Sequence, residues 1–175
     1  MEVFLIRHTA VDVPARTCYG QTDVPLRDTF QQEAEVTRSN LKGMVFDHVY
    51  TSPLSRASRL AAYCGFPDAE RDNRLMEMNM GTWEMQSFDD LDAITLERWY
   101  ADYVHVSPEG GESFEQVYAR VDNFLTELTG KPYRRVAIFA HGGVLIAARV
   151  RAGQITQAEG FNALTPYGGI ERIVL

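Results

Sequence analysis

Two apolar segments, each ending in a histidine, most constrain how this chain can fold. The first is Val3–Ile6, which runs directly into Arg7 and His8. The second is 135–140, which is followed by His141 and two glycines. Short apolar runs rich in β-branched and aromatic residues are typical of buried strands. Ligands bind at the carboxyl edge of an open α/β sheet, so one hypothesis places both histidines in one pocket there. The alternative is two unrelated strand-end histidines.

Composition limits the classes of partner. The 175 residues suit one domain over 1–175, and the formal net charge of −7 disfavours a nucleic acid or an anionic membrane as partner. Cys18 and Cys64 lie too far apart in sequence for a CxxC pair, which favours a reduced, cytoplasmic protein. No run approaches 18 apolar residues, and Arg7 stands where a signal peptide needs its apolar centre. We therefore expect neither a membrane span nor secretion.

Helical and strand patterns alternate along the chain. Helices are predicted at 28–42, 53–63, 113–128 and 144–152, with a helical insertion at 87–104. Further strands are predicted at 45–51 and 170–175. This alternation indicates an α/β fold with a largely parallel sheet of about four to six strands. The loop 13–26, which contains two prolines, either walls the site or is a surface connection.

Two further features favour a bound anion, and a third offers a group that could supply a proton. Ser52 is predicted to cap the second helix, which places Arg56 in the first turn, near amides that favour negative charge. Gly142 and Gly143 allow backbone amides to approach an oxyanion. Glu77 lies among Leu, Met and Trp residues, and an apolar setting raises a carboxyl pKa so that a proton stays available near neutrality. The alternative for Glu77 is an exposed side chain on a short edge strand.

These side chains suit a dianionic phosphoryl group. Arg7 and Arg56 supply fork-shaped donors and positive charge. The same cations are expected to depress the pKa of His8, which leaves a neutral imidazole to attack phosphorus. Glu77 is then the candidate acid for the leaving alkoxide and the candidate base for the water of a second step.

The motifs, taken in order, resemble the histidine phosphatase superfamily, also called the phosphoglycerate mutase-like family. The resemblance covers nearly the whole chain, and five motifs in order are far more specific than one. It implies an α/β three-layer sandwich with a doubly wound, mostly parallel sheet flanked by helices, no metal and no organic cofactor. The matching segments are Leu5–His8, Ser52–Ala57, Met76–Glu84, Gly110–Ser113 and Ala140–Gly143.

The resemblance also implies roles. His8 carries the phosphoryl group, Glu77 donates the proton, and Arg7, Arg56 and His141 clasp the phosphate. Gly142 is expected to contact the phosphate through its amide. One departure is Thr9, which stands where the family usually has glycine and offers a hydroxyl donor there; the asparagine that usually follows is missing from 9–14.

The loop 17–26 is similar to the α-ribazole phosphatase branch of the superfamily. That branch implies removal of the 5′-phosphate from α-ribazole phosphate, or from its cobalamin-phosphate form, during assembly of the cobalamin nucleotide loop. A small-molecule phosphomonoester is the expected partner, and a homodimer is left open. The chain ends at the last predicted strand with no tail to exclude water, which favours a hydrolase. The residues expected to contact substrate are Thr9, Tyr19, Gly20 and Gln21.

Three alternatives stand beside this interpretation. One is a phosphoglycerate mutase or a broad-specificity small-molecule phosphatase. Another is a non-catalytic module that binds a phosphate ligand or a protein on the same fold. A third is a metallohydrolase using His8, His141 and Glu77, although neighbouring arginines disfavour a dication there.

Overall fold

A five-stranded sheet forms the centre of the computed structural model, which describes residues 1–175. Its spatial order is β3-β2-β4-β1-β5; β5 runs antiparallel to β1, and the other neighbours are parallel. This confirms the predicted mostly parallel α/β sheet. The strands are β1 Glu2–Arg7, β2 His48–Thr51, β3 Glu70–Arg71, β4 Arg135–Ala140 and β5 Ile170–Val174.

Helices cover both faces of the sheet. α1 and α2 pack on one face, and α4 and α5 pack on the other. Three 3₁₀ turns, Asn73–Leu75, Gly81–Trp83 and Gln157–Ala163, lie in the connections. The fold is therefore the three-layer sandwich that was expected. The helices are α1 Phe30–Asn40, α2 Ser55–Tyr63, α3 Ala93–Ala101, α4 Phe114–Thr129 and α5 Gly142–Arg151.

The alternation of side chains along β1 and β4 explains the two-sided core. Val3 and Leu5 belong to the larger apolar cluster, on the α4 and α5 side. Ile6, which points to the opposite face, belongs to the smaller cluster beneath α1 and α2. In β4, Ile138 and Phe139 divide in the same way. A strand buried on both faces must be apolar throughout, which is why both runs lack alternation.

Strand register determines where the polar residues fall. Arg7 pairs with Ala140, the last residue of β4, so the two strands end level with each other. The His8 amide then donates to the Ala140 carbonyl at 3.1 Å, and the Ser52 amide donates to the Phe139 carbonyl at 2.9 Å. Residues that follow three different strands therefore reach one edge of the sheet.

Several predicted boundaries were wrong by a few residues. The second helix begins at Ser55 with Leu54 as its N-cap, so Ser52 is not the cap, although Arg56 still lies in the first turn. α5 begins at Gly142, two residues early, because His141 is its N-cap. The two-residue strand β3 was not predicted, since its segment is short and polar. The helix of the 87–104 insertion covers only Ala93–Ala101.

No helix is both long enough and apolar enough to cross a membrane.

Ile138 lies at the centre of the sheet, fully buried and paired in register with Leu5 and Tyr50. We expect Ile138→Ala to lower the free energy of unfolding by about 2–5 kcal/mol, because the deletion leaves a cavity in a close-packed core. Urea denaturation measures this change. Val174→Ala, on an edge strand with 63% exposure, is the matched control and should change stability by less than about 0.5 kcal/mol. Equal effects of the two substitutions would contradict the core assignment.

Candidate active site

The carboxyl edge of the sheet brings four of the expected site residues together. The imidazole rings of His8 and His141 have centroids 5.1 Å apart, and the Arg56 guanidinium contacts His141. Arg7 precedes His8 and is also buried. The two histidines therefore share one site, as the pocket hypothesis expected.

The hydrogen bonding of His8 fixes which ring nitrogen is free. Its Nδ1 lies 2.7 Å from the backbone carbonyl oxygen of Thr9. Because a carbonyl oxygen only accepts, Nδ1 carries the proton and donates it. In the neutral ring the lone pair is then on Nε2, which is the nitrogen available for attack.

His8 is neutral at physiological pH. Burial, then the positive charge of Arg56, and to a smaller extent that of Arg7, lower its pKa to about 3, against an opposing effect of the Thr9 carbonyl. The expected direction is confirmed, but the two arginines are not its main cause. Burial contributes most, because an imidazolium loses its hydration inside the fold.

Arg56 is fully buried and held by groups that carry no formal charge. Its Nε donates to His141 Nδ1 at 3.2 Å, and its terminal nitrogens donate to the carbonyl oxygens of Gly20 and Thr22 at 2.5 and 2.9 Å. Since Nδ1 of His141 accepts, its Nε2 donates to the Ser52 hydroxyl at 2.8 Å. Burial, then the charge of Arg56, lowers the pKa of His141 well below its usual range, so this ring is also neutral.

Arg7 is oriented by the turn that precedes β5. It donates to the Thr165 carbonyl oxygen at 2.5 Å, and the Tyr167 ring lies over its guanidinium, 4.1 Å from the ring centroid. Its Nε is buried and has no hydrogen-bond partner. A buried unsatisfied donor on a cation suits an anion that binds beside it.

Glu77 lies in the connection between two 3₁₀ turns, half-buried at the site, not on an edge strand. Its Oε1 accepts from the amides of Met78 and Gly143 at 2.9 and 3.1 Å. A Cβ on Gly143 would lie 2.5 Å from that oxygen, so only glycine allows the approach. Gly142, the first residue of α5, lines the same cavity and has an amide without an intrahelical partner.

The Arg120–Glu112 ion pair supports the backbone segment that carries Glu77. Arg120, on α4, pairs with Glu112 at 2.8 Å and donates to the carbonyl oxygens of Arg74, Met76 and Glu77. Glu112 in turn accepts from the Asn79 amide. The Gly110–Ser113 motif therefore acts through this carboxylate, which fixes the backbone that carries Glu77.

The expected substrate residues divide into two groups. Tyr19 lines the cavity. Gly20 and Gln21 do not: Gly20 uses its carbonyl to hold Arg56, and Gln21 donates its side-chain amide to the Glu77 carbonyl oxygen at 3.1 Å. Thr9 is fully buried outside the cavity wall, and its hydroxyl has no partner. These three residues are placed to support the site.

A cavity of about 810 Å³ extends from His8 and Glu77 toward α3. Thirteen of its 21 lining residues are hydrophobic, and Arg7 is the one lysine or arginine among them. The site therefore combines a cationic, polar end with a large apolar chamber. The aromatic side chains of that chamber are Phe88, Trp99, Tyr100, Tyr103 and Phe161.

Four residues that shape the site were missed by sequence reasoning. Ser52 was predicted to cap the second helix, and Tyr167, Glu84 and Arg120 received no role. Burial raises the pKa of Glu84, but hydrogen bonds from the Thr22 hydroxyl and from the amides of Gln21, Thr22 and Met80 outweigh it and lower that pKa. Only Arg120 carried a signal, as the single basic residue of an amphipathic helix shortly after Glu112.

The donor set does not suit a metal ion. Across residues 1–175, no group of three or more His, Cys, Asp or Glu side chains is placed to hold one. Both nitrogens of His141 and Nδ1 of His8 already have hydrogen-bond partners. This geometry argues against the metallohydrolase alternative.

The fold and the arrangement of two histidines and two arginines suit an enzyme that acts on a phosphoryl group. The profile of the histidine phosphatase superfamily (branch 1) matches residues 3–174, so the chain belongs to this superfamily, and it is an enzyme of the phosphatase class.

Its relatives carry two kinds of name. An adenosylcobalamin/alpha-ribazole phosphatase of Escherichia coli K12 is 30% identical over 154 residues, 83% of this chain and 75% of the relative. A probable phosphoglycerate mutase GpmB of Cronobacter sakazakii is 32% identical over 155 residues, 83% and 71% of the two chains. The crystal structure of the alpha-ribazole phosphatase from Shigella flexneri superposes with a TM-score of 0.89 at 27% identity, covering 100% of this chain and 91% of the other.

The lowered pKa values predict that stability depends on pH. A histidine that stays neutral in the fold takes up a proton on unfolding below pH 6.5, so stability falls as pH falls from 6.5 toward the folded pKa of His8, about 3. We expect a loss of about 1.4 kcal/mol per pH unit for each histidine between pH 5 and 6, where carboxylates stay ionised.

Urea denaturation across this range measures the slope. His8→Gln should reduce the slope by the contribution of one histidine, about 1.4 kcal/mol per pH unit. A wild-type protein of constant stability between pH 5 and 6.5 would contradict a neutral, buried pair.

Proposed function

We propose that this enzyme removes the 5′-phosphate from α-ribazole 5′-phosphate, or from its cobalamin-phosphate form, through a phosphohistidine at His8. The observation that carries the substrate assignment is the large aromatic chamber beside the phosphate subsite. The relatives named alpha-ribazole phosphatase support the same assignment.

The first step is an in-line displacement at phosphorus. The Nε2 lone pair of His8 forms the P–N bond while the P–O ester bond breaks, and the leaving alkoxide takes a proton from the carboxylic acid of Glu77. The Nδ1 proton remains on the ring, and its bond to the Thr9 carbonyl stabilises the positive phosphoimidazole. Arg7 and Arg56 compensate the charge of the equatorial oxygens.

The second step uses water. Glu77, now a carboxylate, takes a proton from the water as its oxygen attacks phosphorus, and the P–N bond breaks with the electron pair returning to Nε2. Inorganic phosphate leaves and His8 is neutral again. The Met78 and Gly143 amides hold the Glu77 carboxyl group in place for both proton transfers.

The chamber favours a flat aromatic substrate over a phosphoglycerate. Its volume of about 810 Å³ falls within the range of roughly 300–1,000 Å³ that drug-sized ligands occupy. α-Ribazole carries a benzimidazole base, which stacks well on aromatic walls. A phosphoglycerate carries a carboxylate that needs a second cation, and beyond Arg7 the lining offers the carboxylate of Asp102 instead.

Loss of the nucleophile should cost more than loss of a phosphate ligand. We expect His8→Ala to lower kcat by at least about 10⁴-fold and Arg56→Ala to lower kcat/KM by roughly 30- to 1,000-fold, equivalent to about 2–4 kcal/mol. Steady-state assays measure both, and circular dichroism checks that Arg56→Ala is folded. A ³²P-labelled substrate, quenched in base, should label wild-type protein and not His8→Ala. The reverse ranking would contradict covalent catalysis.

A substrate panel tests the assignment of substrate. We expect kcat/KM for α-ribazole 5′-phosphate to exceed that for 3-phosphoglycerate and for sugar phosphates by about 100-fold or more, equivalent to about 2.7 kcal/mol of differential binding. Phe161→Leu, in the chamber, should reduce the ribazole value about fivefold through lost aromatic contact and leave small phosphomonoesters unchanged.

The control for that variant is Phe30→Leu, on α1 outside the cavity. Preference for 3-phosphoglycerate, with mutase activity, would replace the proposal by the mutase alternative. Absence of turnover with every phosphomonoester would favour the non-catalytic alternative.

A further inference from the structure

Each of the two site arginines is held by a different part of the chain. Arg7 is oriented by the segment 165–167, through the Thr165 carbonyl and the Tyr167 ring. Arg56 is oriented by the segment 19–22, through two carbonyls and the Tyr19 ring, whose centroid lies 5.4 Å from its guanidinium carbon. Neither arginine has a carboxylate partner among the ion pairs of residues 1–175.

One hydrogen bond joins these two segments. The hydroxyl groups of Tyr19 and Tyr167 lie 2.7 Å apart, although the residues are 148 positions apart in sequence. No backbone hydrogen bond connects 19–22 with 165–167. The Tyr167 ring also lies 5.5 Å from the His8 ring, centroid to centroid. The bonded tyrosines therefore span both arginines and the nucleophile.

We propose that Tyr19 and Tyr167 form a clasp whose hydroxyl bond sets the separation of the Arg7 and Arg56 guanidinium groups, and hence the width of the phosphate subsite. Both are positioning residues. The inference rests on the proposed phosphate subsite and gives Tyr19 a role beyond lining the cavity.

The chemistry of the clasp suits this role. A phenol ring contacts a guanidinium through its π-face without neutralising it, so both arginines keep their charge for the phosphate. Carboxylates would orient the arginines as well but would compete with the anion. Burial and the bond to Tyr167 raise the pKa of the Tyr19 hydroxyl, which keeps it protonated and hydrogen-bonded.

A double-mutant cycle tests whether the Tyr19–Tyr167 hydrogen bond affects phosphate binding. The probe is inorganic phosphate, whose dissociation constant is measured by calorimetry for wild type, Tyr19→Phe, Tyr167→Phe and the double variant. Each single variant keeps its ring and loses the shared bond, so we expect about fivefold weaker binding in each. The double variant should also be about fivefold weaker, because the same bond is lost only once.

The matched control is Tyr63→Phe, which removes a hydroxyl hydrogen bond to Glu35 at the end of α2, away from the site. It should bind phosphate like wild type. Tyr167→Leu removes the ring as well and should weaken binding further than Tyr167→Phe, whereas a purely structural role would lower the melting temperature without this ranking.

The outcomes separate the two proposals. Multiplying effects, about 25-fold in the double variant, would mean that each hydroxyl contacts phosphate independently, and would overturn the clasp. Phe variants that bind phosphate like wild type would also overturn it while leaving the phosphatase mechanism intact. A wild-type enzyme that hydrolyses phosphomonoesters without binding phosphate at this site would overturn both the subsite and the clasp.

Discussion

The parallel register between β1 and β4 is the constraint on which the site depends. Because Arg7 is level with Ala140, the next residues of both strands, His8 and His141, leave the sheet side by side. β2 ends one position earlier against β4 and delivers Ser52, which fixes the second histidine. A slip of one residue in either pairing would turn a histidine toward the opposite face and dismantle the constellation.

Positive charge at this edge is buried without being neutralised. Arg56 is fully buried, yet its partners are carbonyl oxygens, an imidazole and an aromatic face. Desolvation of an unpaired cation is costly, and the three hydrogen bonds that Arg56 donates to neutral groups offset part of that cost. The same burial keeps His8 and His141 neutral. This edge of the sheet therefore holds two neutral imidazoles beside two buried arginines.

The side chain and backbone of Glu77 are held by a separate set of residues. Arg120 on α4 and Glu112, which precedes that helix, bind the backbone around Glu77, and Glu84 accepts hydrogen bonds from the 19–22 loop. Gly143 brings the amide end of α5 against the Glu77 carboxylate. His8 and His141 follow the ends of β1 and β4, Arg56 lies in the first turn of α2, and Glu77 lies in a loop. Most of the groups that support them also lie in loops, such as the carbonyl oxygens of Gly20 and Thr22 and the side chain of Glu112.

The local sequence determined a good deal of this protein. Apolar runs ending in Arg7-His8 and His141 predicted the central strands, and the alternation of helices and strands predicted a largely parallel sheet. Five ordered motifs indicated the superfamily and, through that resemblance, the three-layer sandwich. These signals are properties of residues that are close together in sequence or of the order of motifs along the chain. Only the tertiary structure decided that Tyr167 covers Arg7, that Ser52 binds His141 instead of capping α2, and that Gly20 and Gln21 support the site. Those contacts join residues up to 160 positions apart, and packing, not local propensity, selects them.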